Sequence, residues 1–160
     1  IKLDSKGPIF FKQKRVGKDK TYFSILKFRT MRIDTPKDTP THLLENPDQY
    51  LLKIGKFIRK NSLDELPNLI NIMKGEMVFV GPRPALYNQN DLMEFRVETG
   101  VSKLKPGITG WAQINGRDEI SIPKKVQLEQ EYLKKKSFLF DIKIIIKTFT
   151  NVLFSKGVSH

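Results

Sequence analysis

The sequence predicts an α+β fold, in which a small β-hairpin or sheet is combined with several amphipathic and interfacial helices in one compact domain of residues 1–160. Three observations support this prediction. A length of 160 residues is typical of one domain and suffices for an ordinary core. Residues 9–31 are rich in aromatic and β-favouring side chains, whereas later stretches show helical hydrophobic periodicity. The chain shows no internal repeat, low-complexity tract or linker.

A β-hairpin is predicted near the start of the chain. Residues 9–16 and 21–31 are the two strands, and residues 17–20 form a polar connection of hairpin length. Cations alternate with apolar residues along both strands, which is also the pattern of a solvated sheet face. Residues 34–49 contain three prolines and are predicted to form a loop.

Helices dominate the rest of the prediction. Residues 77–80 are a short apolar strand that ends at Gly81-Pro82-Arg83-Pro84. Glycines and a proline in residues 105–117 indicate turns around one short apolar segment. Five helices are predicted, over residues 48–60, 67–74, 88–99, 123–136 and 138–154. The first would be basic and amphipathic, the second would end at Gly75, and the last is very apolar.

The composition narrows the classes of function. With 29 Lys and Arg against 17 Asp and Glu, the net charge is +12, which favours an anionic partner such as nucleic acid, an anionic membrane or a phosphorylated substrate. The absence of cysteine excludes disulfides and thiolate sites, and the presence of only two histidines argues against a His-rich metal site. The sequence contains neither GxxxxGK[ST] nor GxGxxG, and no apolar run has the roughly 18–20 residues of a membrane-spanning helix.

The adjacent acids Asp64 and Glu65 have two interpretations. Ser62 and Glu65 have the spacing of a capping box, and Pro67 suits the first turn of a helix. Spacing alone favours this structural role. Alternatively, one carboxylate attacks phosphorus and the other binds a hard cation such as Mg²⁺, which prefers one or two carboxylates together with substrate phosphates.

Two further motifs have both a structural and a functional interpretation. The prolines on either side of Arg83 fix the backbone, so its guanidinium is either held for gripping a phosphate or simply solvated on a loop. Residues 105–117 combine tight turns with cations and the only tryptophan, Trp111. Spacing favours a pair of turns with Trp111 in the core, although glycines also allow close approach of a ligand.

Taken together, five motifs in this order resemble one family. They are Gly7-Pro8-Ile9-Phe10-Phe11-Lys12-Gln13-Lys14-Arg15-Val16-Gly17, Lys27-Phe28-Arg29-Thr30-Met31, Ser62-Leu63-Asp64-Glu65-Leu66-Pro67-Asn68, Gly81-Pro82-Arg83-Pro84 and Lys105-Pro106-Gly107-Ile108-Thr109-Gly110. The chain resembles bacterial sugar transferases of the monotopic phosphoglycosyl transferase family, over nearly all of residues 1–154. These enzymes initiate the assembly of capsule, exopolysaccharide, O-antigen and other glycans.

The resemblance implies transfer of sugar 1-phosphate from a UDP-sugar donor to a polyprenyl (undecaprenyl) phosphate acceptor, with release of UMP. It implies that Asp64 is the nucleophile and forms a covalent phosphosugar intermediate, and that Glu65 is associated with Mg²⁺. Arg83 is implied to bind phosphate. A weaker expectation of a cationic role at the site is carried over to Lys27, Arg29 and Arg117.

The resemblance also implies a location at the cytoplasmic face of the bacterial inner membrane. Family members carry a hydrophobic re-entrant helix just before the segment that matches Ile1-Lys2-Leu3, and we expect this chain to be part of a longer protein. The helices predicted over residues 48–60 and 138–154 would rest on an anionic membrane surface without crossing it. Complete packing of residues 138–154 into the core is the alternative. A non-enzymatic basic module that binds nucleic acid or anionic lipid is the competing function, and we expect no nucleic-acid partner.

Overall fold

The computed structural model describes residues 1–36, 44–116 and 120–153. These residues form four short strands and six α-helices, which confirms the predicted α+β class. The strands are β1 (Phe10–Val16), β2 (Tyr22–Phe28), β3 (Val78–Val80) and β4 (Gly107–Thr109). The helices are α1 (Gly55–Lys60), α2 (Asn68–Met73), α3 (Asn90–Glu98), α4 (Trp111–Ile114), α5 (Ile122–Lys135) and α6 (Phe138–Leu153).

The predicted hairpin is confirmed, and its outer edge is closed by a side chain. β1 and β2 pair antiparallel, with Val16 opposite Tyr22 and Phe10 opposite Phe28. The buried Asn71 of α2 accepts a hydrogen bond from the Leu26 amide at 3.1 Å and donates one to the Ser24 carbonyl at 2.8 Å. Because Asn71 satisfies backbone groups of β2, it fixes α2 against the strand that carries Lys27.

The second sheet is a parallel pair of strands, β3 and β4, and β3 leads directly into the loop that contains Arg83. The strand predicted over residues 77–80 is confirmed as β3, which pairs with β4 so that Val80 lies opposite Thr109. A Cβ on Gly81 would lie 2.4 Å from the Lys105 carbonyl oxygen, so only glycine allows this approach of the two segments. Tyr132 and Ile144 pack on Val80 and complete one of the buried clusters.

The helix predicted over residues 48–60 is wrong in its first half. Residues 47–50 form a short 3-10 turn, and the α-helix covers only residues 55–60. Leu51 instead pairs with Met31, and the Leu52 amide donates to the Thr30 carbonyl. These pairings hold the chain extended, so tertiary contacts override the helical hydrophobic pattern. Residues 37–43 of the predicted loop lie outside the described residues.

α2, α3, α5 and α6 agree closely with prediction, and α6 is amphipathic. α4 is a short helix where only turns were predicted. Ile144 is fully buried, whereas Phe138 and Leu139 are 79% and 77% exposed. Complete packing of residues 138–154 into the core is therefore wrong. Trp111 packs against Phe140 with ring centroids 5.0 Å apart, in agreement with its predicted core position. Across residues 1–36, 44–116 and 120–153, every helix is too short or too polar to cross a bilayer.

Candidate active site

One cavity of about 1430 Å³ collects most of the residues predicted from the motifs. Five of the predicted residues line its walls: Lys27, Arg29, Asp64, Glu65 and Arg83. They come in that order from β2, the segment after β2, the turn before α2, which carries both acids, and the loop after β3. Residues far apart in the sequence thus meet at one place. The sixth predicted residue, Arg117, lies outside the described residues.

The turn between α1 and α2 sets the positions of the two acids. After α1 ends at Lys60, Ser62 adopts the left-handed region at φ 54° and ψ 20°, and residues 63–65 form a single 3-10 turn. Ser62 makes no side-chain capping hydrogen bond, so the capping-box interpretation is wrong. Left-handed backbone is uncommon for serine, and such strain is frequently found at functional sites.

Glu65 binds the two cations that face it. Its Oε1 accepts a hydrogen bond from Lys27 Nζ at 2.7 Å and lies 3.4 Å from Arg83 Nη1. The Asp64 carboxylate is farther from Lys27, with Oδ2 3.9 Å from Nζ. The arrangement therefore assigns the short contacts to Glu65 and leaves the looser one to Asp64.

Burial dominates the electrostatics of this group. Desolvation raises the pKa of the Asp64 carboxyl, and Lys27 is the largest influence in the opposite direction. Desolvation also lowers the pKa of the Lys27 ammonium, although Glu65 and Asp64 favour its charged form. Asp64 is only 9% exposed, so its ionised form has lost most of its hydration. The charges of Lys27 and Arg59 oppose this rise in pKa and so favour the ionised form of Asp64.

Arg29 is placed in the cavity wall, but its guanidinium already has partners. Its Nε donates to the Pro8 carbonyl at 2.7 Å, Nη1 donates to the Ser5 hydroxyl at 2.7 Å, and Nη2 donates to the Ser5 carbonyl at 3.2 Å. These bonds fix the segment before β1 against the end of β2. The expected phosphate-binding role of Arg29 would have to compete with them.

Arg59 is a site residue that sequence reasoning missed. It belongs to the basic helix predicted over residues 48–60, to which no site role was given, yet it lines the cavity, and its charge opposes the rise in the pKa of Asp64. Its Nε donates to Thr30 Oγ1 at 3.0 Å, which anchors it to the segment after β2. The available signal was its position in the last turn of a helix, five residues before Asp64.

The donor groups at Asp64 and Glu65 are suitable for a hard divalent cation. The carboxylates of Asp64 and Glu65 are neighbours in the cavity wall, and Mg²⁺ prefers such oxygen ligands. Within the described residues, no group of three or more His, Cys, Asp or Glu side chains could hold a metal ion by itself. A magnesium site here would therefore need oxygen ligands from a bound phosphate as well.

Comparisons with known proteins identify the family of the chain. The family described as bacterial sugar transferase matches residues 1–155 of the chain. An uncharacterized sugar transferase of Bacillus subtilis is 44% identical over 161 residues, which cover all of this chain and 77% of that protein. An undecaprenyl-phosphate glucose phosphotransferase of Komagataeibacter xylinus is 40% identical over 98% of this chain and 31% of its own length. A UDP-glucose:undecaprenyl-phosphate glucose-1-phosphate transferase of Escherichia coli is 41% identical over 92% of this chain. The chain spans only about a third of that last protein, at 33%.

Proposed function

Because this chain belongs to the bacterial sugar transferase family, we propose that it transfers a sugar 1-phosphate from a UDP-sugar to undecaprenyl phosphate and releases UMP. The reaction would be the first membrane step in the synthesis of a bacterial polysaccharide or glycoconjugate. The observation that carries the proposal is the pair of buried Asp64 and partly buried Glu65, which faces Lys27 and Arg83 in one cavity. The names of the relatives from Komagataeibacter xylinus and Escherichia coli support this acceptor, and the latter name supports a UDP-sugar donor.

Asp64 would act as the nucleophile. A carboxylate oxygen attacks the sugar-linked phosphorus of the donor, a new P–O bond forms to Asp64, and the diphosphate P–O bond breaks with its electron pair on the leaving UMP. In the second step, a phosphate oxygen of the acceptor attacks the same phosphorus and the bond to Asp64 breaks. The carboxylate returns unchanged, and no net proton transfer to Asp64 is needed.

The neighbouring cations would lower the repulsion between an anionic nucleophile and an anionic donor. Lys27 lies within 3.9 Å of the Asp64 carboxylate and Arg83 lies within 3.4 Å of Glu65, so both are placed to neutralise charge beside the reacting phosphorus. A guanidinium suits this task because its fork donates to two phosphate oxygens at once. Glu65 would hold these two cations in position before the donor arrives.

A Mg²⁺ ion is the cofactor we propose, with Glu65 as its ligand from the protein. The ion would neutralise charge on the diphosphate and so make UMP a better leaving group. Glu65 also accepts a hydrogen bond from Lys27 at 2.7 Å, so the ion and this lysine would share the charge of one carboxylate.

The acceptor has a long apolar tail, and the exposed apolar side chains of the structure suit a membrane surface. Phe57 of α1 is 62% exposed and Met73 of α2 is 79% exposed, and these two helices flank the turn that carries Asp64. The exposed face of α6 adds five large side chains: Phe138, Leu139, Ile142, Ile146 and Phe149. We propose that these faces rest on the anionic cytoplasmic leaflet, to which a chain of charge +12 is attracted.

Release of UMP is the direct test of this function. The protein in detergent is incubated with undecaprenyl phosphate, Mg²⁺ and each member of a panel of UDP-sugars, and UMP is measured together with the lipid product. We expect one UMP per lipid-linked sugar diphosphate with at least one donor, and none with the matched variant Asp64→Asn. Absence of turnover with every UDP-sugar, or unchanged turnover by Asp64→Asn, would overturn the proposal.

A further inference from the structure

Four consecutive backbone carbonyls hold the loop that carries Arg83. The four carbonyls of residues 82–85 each accept a hydrogen bond of 2.9 Å, from Gly107 N, Arg96 Nη2, Arg15 Nη1 and Val16 N in that order. Two of these donors are backbone amides of strands or their ends, as in ordinary sheet pairing. The other two are arginine side chains, which are unusual partners for a loop of four residues.

The contact from Arg96 to the Arg83 carbonyl is itself supported by a buried ion pair. Arg96 on α3 binds Glu129 on α5 through two parallel hydrogen bonds, Nε to Oε2 at 2.8 Å and Nη2 to Oε1 at 2.5 Å. Arg96 is 4% exposed and Glu129 is 2% exposed. The pair fixes the guanidinium plane, so the direction of the Nη2 donor towards the Arg83 carbonyl is fixed as well.

A buried ion pair is a poor means of stabilising a fold. Removing two charges from water is costly, and apolar residues of similar volume often give equal or greater stability. A role in placing a neighbouring group accounts for the pair better than stability does. The group that it places is the backbone of the one arginine that approaches Glu65 from the far side of the cavity.

We propose that Arg96, oriented by Glu129, is a positioning residue that sets the place of Arg83 for binding the donor phosphates. The proposal rests on the proposed function of the site and extends it to Arg96, which lines the same cavity as Asp64, and to Glu129 behind it. Arg96 acts through the Arg83 carbonyl, and Glu129 acts through Arg96. Glu129 lies outside the cavity wall, so any effect of Glu129 on the donor must travel through the pair.

The test compares three proteins whose predicted behaviour differs. Glu129→Gln keeps the side-chain shape but removes the charge that orients Arg96. The double variant Arg96→Met/Glu129→Leu replaces the pair with apolar side chains, which restores packing but leaves the Arg83 carbonyl without its donor. Glu131→Gln is the matched control, because it lies on the same helix and binds Trp111 Nε1 at 3.1 Å instead.

We expect kcat/KM for the UDP-sugar to fall by about 10- to 100-fold in Glu129→Gln and in the double variant, since small misplacements of a phosphate-binding group have effects of this size. Thermal unfolding of the double variant should match that of the wild type, and Glu131→Gln should keep full activity. In an Arg83→Ala background, the same changes should alter kcat/KM by less than about twofold, because there is no guanidinium left to place. Wild-type kinetics in the double variant, or additive losses in the Arg83→Ala background, would overturn the proposal.

A second measurement separates this inference from the proposed function. Hydrogen exchange of the Gly107 and Val16 amides reports on the loop directly, because these amides donate to the Pro82 and Ala85 carbonyls. We expect both to exchange faster in the double variant and at the wild-type rate in Glu131→Gln, whether or not any UDP-sugar is turned over. Unchanged exchange in the double variant would contradict the positioning role even if the enzyme is active, and an inactive wild type with faster exchange in that variant would count only against the proposed function.

Discussion

Replacing Asp64 with Asn is expected to stabilise the fold while it removes the nucleophile. Burial raises the pKa of the Asp64 carboxyl despite the attraction of Lys27. A carboxyl whose pKa is higher in the folded than in the unfolded protein opposes folding once it is ionised. The amide of Asn has nearly the same shape and carries no charge, so this cost disappears.

The sign of the pH dependence follows from proton binding. Between the ordinary aspartate pKa of 3.8 and the raised value, the folded state binds more protons than the unfolded state, so wild-type stability falls as pH rises through this interval. The gain from Asp64→Asn is therefore absent below pH 3.8 and grows as pH rises towards the raised pKa. Lys27 retains its nearer partner in the variant, since Glu65 lies at 2.7 Å and Asp64 at 3.9 Å.

The expected gain is on the order of 1 kcal/mol, because single stabilising substitutions typically contribute between about 0.5 and 2 kcal/mol. For a chain of this length, that gain raises Tm by about 2–4 °C. Urea unfolding followed by circular dichroism, at neutral pH and in acid, measures both the gain and its loss.

Asp34→Asn is the matched control for this prediction. The Arg32 guanidinium lowers the pKa of the Asp34 carboxyl through hydrogen bonds, which is the opposite direction from Asp64. Loss of that charge should give no gain at neutral pH. If Asp64→Asn is less stable than the wild type at neutral pH, or if its advantage persists in acid, then burial does not govern this carboxyl as we infer.

Three further predictions concern the cations, the metal and the membrane. Arg83→Lys keeps the positive charge but loses the two-pronged guanidinium, so kcat/KM for the UDP-sugar should fall by at least about tenfold. Wild-type kinetics in this variant would mean that Arg83 has only a structural role. Glu65→Gln should weaken the dependence of the rate on Mg²⁺ concentration, and wild-type activity that a chelator leaves unchanged would contradict the magnesium proposal. Sedimentation with liposomes should show binding that increases with anionic lipid content, because each basic residue near the surface contributes roughly 1 kcal/mol of attraction. Binding should weaken in salt and in the double variant Phe138→Ser/Leu139→Ser. Lack of binding to strongly anionic liposomes at low salt would contradict the proposal that these faces rest on the membrane.

Local pattern was sufficient to predict several elements of this fold. The hairpin, β3, α5 and α6 follow from alternation, apolar runs and turn residues that lie next to each other in the chain. The Asp64-Glu65 pair was also visible, because adjacent acids in a basic chain are a local feature. These predictions succeed because tertiary contacts reinforce the local preference.

Other features depend on contacts between distant residues. The extended segment at Leu51 and Leu52 is imposed by pairing with residues 30–31, and helical periodicity gives no sign of it. Ser62 and Glu65 have the spacing of a capping box, but Ser62 adopts a left-handed conformation and makes no capping hydrogen bond. Arg96 and Glu129 lie 33 residues apart in the sequence, on two different helices. The residues around each of them give no sign that its charge is buried rather than on the surface.

The central claim is covalent catalysis by Asp64, and mass spectrometry of the intact protein tests it most directly. The protein is mixed with its UDP-sugar and Mg²⁺ in the absence of acceptor, quenched rapidly, and analysed whole and after proteolysis. We predict an added mass of one phosphosugar on the peptide that contains Asp64, with one UMP released per adduct, and loss of the adduct when undecaprenyl phosphate is added. An adduct on another residue, an equal adduct in Asp64→Asn, or turnover with acceptor but no adduct at any time would contradict the account.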